Sequence, residues 1–327
     1  MSESLSSEME AIWREELSPF LAEREQRRKK AVGNIVVGTG LGVAAGITAA
    51  AILLAFGLFP FALFALIGLP VAGGAVGSAK FNELKKEVKL GLLGKLAEAS
   101  DMRYSLQPAE PARFDVFREH GLLPNSDRRS FEDHFIGERH RSVFELYEAK
   151  LEEKRRSKNR TYWVTVFRGL LVRIEFPRTV EGVTVITRDK GFFNMFEGWG
   201  RKTFGSKKLE RVGLVDPKFE KIFEVYSTDQ VMSRYLLTPT FMERLLALET
   251  AVEGKKVRAA FDDRQGGGEL LIAVETGNLF EPGSLFKPLD DEERVRTLLE
   301  EIDLVTGMLD LMVRPPELGE NVLADQS

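Results

Sequence analysis

Residues 31–79 read AVGNIVVGTGLGVAAGITAAAILLAFGLFPFALFALIGLPVAGGAVGSA. No charged side chain interrupts these forty-nine residues between Lys30 and Lys80, and Pro60 lies near their middle. At a rise of ~1.5 Å per residue, the run is too long for one helix across a ~30 Å hydrocarbon layer. It suits two helices and a tight turn, so the sequence predicts a transmembrane helical hairpin with spans at 33–56 and 60–78. One span followed by a re-entrant segment is the alternative.

Basic residues flank both ends of this run, and they predict its orientation. They are Arg24, Arg27, Arg28, Lys29, Lys30, Lys80, Lys85, Lys86 and Lys89. Because basic residues stay on the cytoplasmic side, both chain termini are expected in the cytoplasm. Residues 2–30 are too polar for a cleavable signal and predict an amphipathic helix that Pro19 breaks.

Small residues recur at helical spacing within the predicted spans. Gly38, Gly42 and Gly46 share one face of the first span, and Gly73 and Gly77 lie in the second. In lipid, such faces let helix backbones approach closely. The face is therefore predicted to pack the two helices of one hairpin together or, alternatively, to form a homo-oligomer.

The rest of the chain has an ordinary globular composition. The 327 residues carry a net charge of −4, which gives no reason to expect a nucleic-acid partner. The chain has no cysteine, which excludes disulfides, zinc–thiolate sites, iron–sulfur clusters and thiol catalysis.

The remaining patterns predict an α+β soluble domain with a mostly antiparallel sheet and packed helices. Alternating apolar residues predict strands at 162–176 (with a bulge at Arg168-Gly169), 183–187, 257–261 and 270–275, whereas 144–151 is ambiguous. Helices are predicted at 228–236, at 240–248 from a capping box at Thr240, and from about 290 to 312. The expected organisation is an N-terminal amphipathic segment (1–30), the hairpin (31–79), a juxtamembrane helix (80–107), the soluble domain (108–315) and a disordered tail (316–327).

One segment of the soluble domain combines aromatic and basic residues and is interpreted as a lipid-contact loop. Its residues are Phe192, Phe193, Phe196, Trp199, Arg201, Lys202, Lys207 and Lys208. Aromatic side chains favour the lipid interface, and each basic residue near anionic lipid contributes ~1 kcal/mol. The alternative is that the aromatic side chains insert into the domain core.

A search for reactive motifs predicts no catalytic residue, no metal site and no cofactor. The three histidines, His120, His134 and His140, match no helical ligand spacing, and there is neither a Walker lysine motif nor a G-x-S-x-G elbow. The acidic pairs Asp262-Asp263 and Asp290-Asp291 are explained by a turn and a helix start.

Six ordered motifs resemble one uncharacterised bacterial membrane-protein family, domain of unknown function 3137. They are FEDHFIG (131–137), FELYE (144–148), FRGLL (167–171), VDPKFEKIFEVY (215–226), YLLTP (235–239) and NLFEP (278–282). The resemblance covers most of residues 100–285. It implies a bacterial inner (cytoplasmic) membrane protein with two N-terminal membrane helices, and it implies no activity or catalytic residue.

The function expected from these observations is that of a membrane-anchored scaffold or adaptor. Its cytoplasmic domain would bind an unidentified protein partner or lipid headgroups, next to the bilayer and without catalysis. The alternative is a membrane-associated enzyme, a hydrolase of lipid or envelope precursors whose site is invisible as a sequence motif.

Overall fold

The computed structural model describes residues 13–158, 160–176, 178–188, 208–252, 256–263, 267–281, 283–284, 287–289 and 292–313. The chain divides into two compact units. The helical unit comprises Met1–Ala99 and Glu281–Leu299, and the sheet unit comprises Ser100–Phe280 and Glu300–Ser327.

Two long helices form most of the helical unit. A π-helical turn, Trp13–Leu17, leads into α1, Ser18–Ala55, and a three-residue turn separates it from α2, Phe59–Ala99. The predicted helix break at Pro19 is wrong, because Pro19 lies in the first turn of α1, where its missing N–H would have no helical partner. Both helices are long and apolar enough to cross a membrane.

The contacts between α1 and α2 keep one antiparallel register along the pair. Lys95 Nζ lies 2.7 Å from a carboxylate oxygen of Glu16, and Glu87 accepts from Arg24 Nε at 3.1 Å. Further along, Gly38 faces Gly73. In these three contacts, an advance along α1 is accompanied by an equal decrease in residue number on α2. The antiparallel pairing is therefore continuous from the charged ends of the two helices into their apolar segments.

A nine-stranded sheet forms the sheet unit, and all its neighbouring strands are antiparallel. The strands are β1 (Met102–Ser105), β2 (Arg128–Arg139), β3 (Ser142–Ser157), β4 (Arg160–Glu175), β5 (Thr184–Thr187), β6 (Glu210–Val212), β7 (Glu224–Ser227), β8 (Val257–Asp262) and β9 (Glu269–Val274). Their order is β1-β2-β3-β4-β9-β8-β5-β7-β6. The predicted α+β class with an antiparallel sheet is therefore confirmed.

Shorter helices accompany the sheet. They are α3 (Phe114–Glu119), α4 (Pro217–Ile222), α5 (Gln230–Leu236) and α6 (Pro239–Ala251), and a long α7 (Glu292–Val313) ends the described chain. The N-cap of α6 is Thr238, whose hydroxyl accepts from the Phe241 amide, so the predicted capping box at Thr240 is wrong by two residues. The intervening Pro239 fits the first helical position.

Two local features of the sheet differ from the sequence-based expectations. Its first strand begins at Met102, upstream of the expected domain start at residue 108, because residues 102–105 pair with β2. The irregularity in the β3–β4 ladder lies between Leu151 and Glu152, not at Arg168-Gly169. Gly169 has another role, since a Cβ there would collide with the Val274 carbonyl oxygen of β9.

One face of the sheet packs on α3 and the residues after it. Phe114 and Phe117 of α3 pack against Tyr147 of β3, Leu171 of β4 and Leu271 of β9, all buried. The segment 144–151, ambiguous in sequence, is part of β3, and its residues Tyr147, Ala149 and Leu151 belong to this core. The core therefore fixes which side chains of β3 point to the opposite face.

Candidate functional site

The predicted glycine face lies where α1 and α2 touch. A Cβ added at Gly38 would lie 2.5 Å from the Gly73 carbonyl oxygen, and one at Gly46 would lie 2.9 Å from that of Ala65. Gly42 meets the Leu69 backbone even more closely. These positions therefore cannot carry a larger side chain without separating the two helices.

Most of the predicted lipid-contact loop lies outside the described residues. Only its last member, Lys208, is described, and it is exposed in a segment without regular structure. Whether the loop meets lipid or the domain core stays a prediction. The predicted role of Gly77 in helix packing also stays a prediction, because its surroundings are not described.

A serine, a histidine and a carboxylate meet at the edge of the sheet. Ser105 of β1 and His134 of β2 are cross-strand partners, and Ser105 Oγ lies 3.1 Å from His134 Nδ1. On the other side of the ring, His134 Nε2 lies 2.7 Å from Glu145 Oε1 of β3. His134 is 8% exposed, whereas Ser105 and Glu145 are half-buried.

This Ser105–His134–Glu145 cluster has the order of groups that serine hydrolases use. If His134 donates its Nε2 proton to Glu145, its Nδ1 can accept the proton of the Ser105 hydroxyl. The hydroxyl oxygen also lies 3.1 Å from the Gln107 carbonyl oxygen, which competes for the same proton. The cluster can therefore transfer a proton, but it can equally serve as a cross-strand hydrogen-bond chain.

Other polar pairs are buried more deeply. His120 Nε2 lies 2.5 Å from Asp262 Oδ2, and neither side chain is exposed. Glu269 of β9 accepts from Arg113 Nε and from Arg173 Nε, both at 2.7 Å. Because His120, Asp262 and Glu269 are buried, these contacts stabilise the fold.

A further carboxylate, Glu148 of β3, binds the segment that follows β9. It accepts from Arg168 Nε and from the Leu279 amide, both at 2.9 Å, and is fully buried. Burial raises the pKa of Glu148 to about 7, although both donors favour the charged form.

The backbone of Phe280, the residue after Leu279, is strained. Phe280 is buried and has a φ of +58°, which is unfavourable for an aromatic residue.

Within the described residues, no group of three or more histidine, aspartate or glutamate side chains is arranged to hold a metal ion. His134 is engaged with Ser105 and Glu145, and His140 Nε2 lies 3.5 Å from Asp310 Oδ1. The histidines thus belong to separate contacts. Sequence spacing did not reveal the Ser105–His134–Glu145 cluster, because its members come from three strands.

One family model matches the second half of the chain. Residues 165–313 match the family model described as Protein of unknown function (DUF3137). The resemblance expected from the ordered motifs is thereby confirmed, over a range that begins later and ends later than 100–285. Among curated proteins, none matches the chain.

One solved structure matches this chain at low similarity. It is the crystal structure of the mycobacterial trehalose monomycolate transport factor A, TtfA, at 11% sequence identity and a TM-score of 0.30. The match covers 68% of this chain and 94% of that one. A likeness of this degree implies nothing about the function of the present chain.

Proposed function

We propose that this chain is a membrane-anchored scaffold or adaptor whose helical hairpin holds the sheet unit at the cytoplasmic face of a bacterial inner membrane. The observation that carries the proposal is the uncovered apolar surface of α1 and α2. In the most apolar part of each helix, only 11% and 6% of the residues are buried. Phe64 is 76% exposed and Val76 is 82% exposed.

Such a surface is unfavourable in water. Burial of apolar area contributes about 25 cal/mol per Å², and monomeric soluble proteins rarely leave patches of this extent uncovered. A helix from a soluble core would be mostly buried instead. A bilayer covers both helices along their apolar length, and the ion pairs of Arg24 and Arg27 with Glu87 then lie beyond it.

The adaptor role concerns the sheet unit. The sheet unit has an extensive packed core, and its sequence carries no recognised reactive motif. We therefore expect it to present a surface to a protein partner or to lipid headgroups, without nucleic acid. Because the glycine face is used between the two helices of one chain, a homo-oligomer would need another surface of the hairpin.

The anchor and its orientation are tested with single introduced thiols, since the chain has no cysteine. Phe56→Cys marks the turn between the helices, and Val231→Cys marks the exposed side of α5. An impermeant maleimide should label intact cells at position 56 and reach position 231 only after permeabilisation. The chain should also stay in the membrane after alkaline extraction.

Labelling of both positions in intact cells would overturn the cytoplasmic orientation, and extraction at alkaline pH would overturn the anchor. The adaptor role is tested by crosslinking in native membranes followed by purification in mild detergent. A reproducible protein partner in near-stoichiometric amount supports it. Recovery of the protein alone, or with lipid only, contradicts a protein-binding adaptor.

The Ser105–His134–Glu145 cluster supports a second candidate, a membrane-associated hydrolase. A fluorophosphonate probe tests it, because an activated serine displaces fluoride and becomes phosphonylated. Labelling should be lost in Ser105→Ala and retained in Ser130→Ala, a matched control on the exposed part of β2. Equal labelling of both variants, or none in the unaltered chain, contradicts this candidate.

A further inference from the structure

The β3–β4 hairpin extends beyond its neighbouring strands. On one side, the pairing of β2 with β3 ends at the pair Arg128–Glu152, so no residue of β3 after Glu152 pairs with β2. On the other side, β9 pairs with residues 170–175 of β4 and not with the residues before Leu170. Among the described residues, 153–158 and 160–164 therefore have no third strand on either side. The five residue pairs from Glu153–Val164 to Ser157–Arg160, at ~3.3 Å per residue, give a free two-stranded arm roughly 17 Å long.

This arm is strongly basic in an acidic chain. Between Lys154 and Trp163 the sequence KRRSKNRTYW holds five basic residues and no acidic one, whereas the whole chain has a net charge of −4. Arg155 pairs with Glu153 at 2.9 Å. For Lys154, Arg156, Lys158 and Arg160, no carboxylate of the described residues lies within ion-pair distance. Their charge is therefore available to a partner.

Two large aromatic side chains are exposed on the same arm. Trp163 is 44% exposed and Tyr162 is 47% exposed. Because neighbouring residues of a strand point to opposite faces, the two aromatic rings lie on opposite faces of the arm. The guanidinium of Arg128 and the ammonium of Lys154 lie 5.7 and 6.0 Å from the Trp163 ring centre.

The base of the arm carries a cavity of about 180 Å³. Three arginines line it, Arg118, Arg128 and Arg129, together with Asp127. The Asp127 carboxylate accepts from the Lys154 amide at 2.8 Å and so fixes the start of the arm to β2. Each of these arginines lies within 4 Å of a carboxylate, Asp115 for Arg118 and Arg129 and Glu152 for Arg128. The excess basic charge therefore lies further out, along the arm itself.

We propose that the arm formed by residues 153–164 inserts its tip among anionic phospholipid headgroups. A protein groove would contact one face of a hairpin, whereas a headgroup layer surrounds a tip that enters it end-on. Both faces of this arm carry basic and aromatic side chains, the combination that favours the interface of an anionic bilayer. The proposal rests on the proposed membrane anchor, which keeps the sheet unit covalently tethered to a bilayer.

The test uses the full-length Thr161→Cys variant, whose introduced cysteine is its only thiol. This thiol is labelled with an environment-sensitive dye, and the protein is reconstituted into vesicles. With 30% phosphatidylglycerol in phosphatidylcholine at low salt, we expect a blue shift and quenching by lipids spin-labelled at the headgroup. Both signals should be lost in pure phosphatidylcholine and at high salt. The same dye at Val231→Cys, 79% exposed on α5, should respond to neither lipid.

Neutralising two basic groups, Arg156→Gln with Arg160→Gln, should lower the ratio of inserted to free arm about thirty-fold. Each basic group near anionic lipid is expected to contribute roughly a five-fold factor. The matched control is Lys218→Gln with Lys221→Gln on α4, an equal charge change at exposed positions that should leave the signal unchanged.

Three outcomes overturn the proposal: a dye that stays in water in all vesicles, equal signals with and without phosphatidylglycerol, or an equal loss in the α4 control. A dye that responds to an acidic polypeptide but to no vesicle would assign the arm to an acidic protein instead. Co-flotation with vesicles after alkaline washing reports the anchor separately. An anchored protein with an unresponsive arm thus refutes only the present inference.

Discussion

Glu269→Gln tests whether buried charge pairing holds the centre of the sheet together. Glu269 has 2% of its side chain exposed and accepts hydrogen bonds from Arg113 and Arg173, both at 2.7 Å. Its cross-strand partner Glu175 also pairs with Arg173, at 3.2 Å, but has 51% of its side chain exposed. The two glutamates thus share one arginine and differ in burial.

The expected magnitudes follow from this difference. Replacing Glu269 by glutamine leaves two guanidinium groups, each with 17% of the side chain exposed, facing an uncharged amide whose NH₂ cannot accept. Removing one partner from a buried ion pair costs about 3–5 kcal/mol. Glu175→Gln should cost under about 1 kcal/mol, because water already solvates the exposed carboxylate.

The measurement is the urea midpoint of the sheet unit in the full-length protein, by pulse proteolysis in mild detergent. With an m value of about 2 kcal/mol per M, Glu269→Gln should lower the midpoint by about 1.5–2.5 M, and Glu175→Gln by less than about 0.5 M. Equal shifts for the two variants would refute the reasoning, since burial would then not determine the cost.

Three further predictions concern other parts of the chain. Gly42→Ala should separate α1 from α2 and lower the thermal stability of the hairpin in detergent, whereas Gly40→Ala should not, because a Cβ at Gly40 meets nothing within 4 Å. Since the folded pKa of Glu148 is about 7 against a usual 4.5, the free energy of unfolding should fall by about 3 kcal/mol as pH rises from 4.5 to 7. Urea midpoints at pH 5 and 8 should show this loss in the unaltered chain and not in Glu148→Gln. Asp229→Ala removes the carboxylate that accepts from two amides at the start of α5, and calorimetry should show a loss of about 1 kcal/mol.

The local patterns of the sequence were sufficient for the membrane-length helices and for the fold class. A long run without charged residues favours membrane-spanning helices, and the apolar residues that recur in 162–176 favour a strand. The structure buries that strand on both faces in its second half, where Leu170, Leu171 and Val172 are all buried. These patterns involve residues that are close together in the chain, so they can be recognised in one sequence. Local patterns gave wrong predictions next to two prolines. Pro19 lies in the first turn of α1 instead of breaking a helix, and α6 begins at Pro239 with Thr238 as its N-cap instead of at Thr240.

Tertiary structure alone decided which polar groups meet. Ser105, His134 and Glu145 come from three strands, and His120 pairs with Asp262 across 142 residues. Sequence reasoning explained Asp262 by a turn, although it is fully buried and contacts His120. The basic arm likewise depends on where β2 and β9 stop pairing, since its charges are visible in the sequence but its freedom from neighbouring strands is not. Such contacts depend on strand order and register, which are set by the packing of the whole sheet rather than by any one segment.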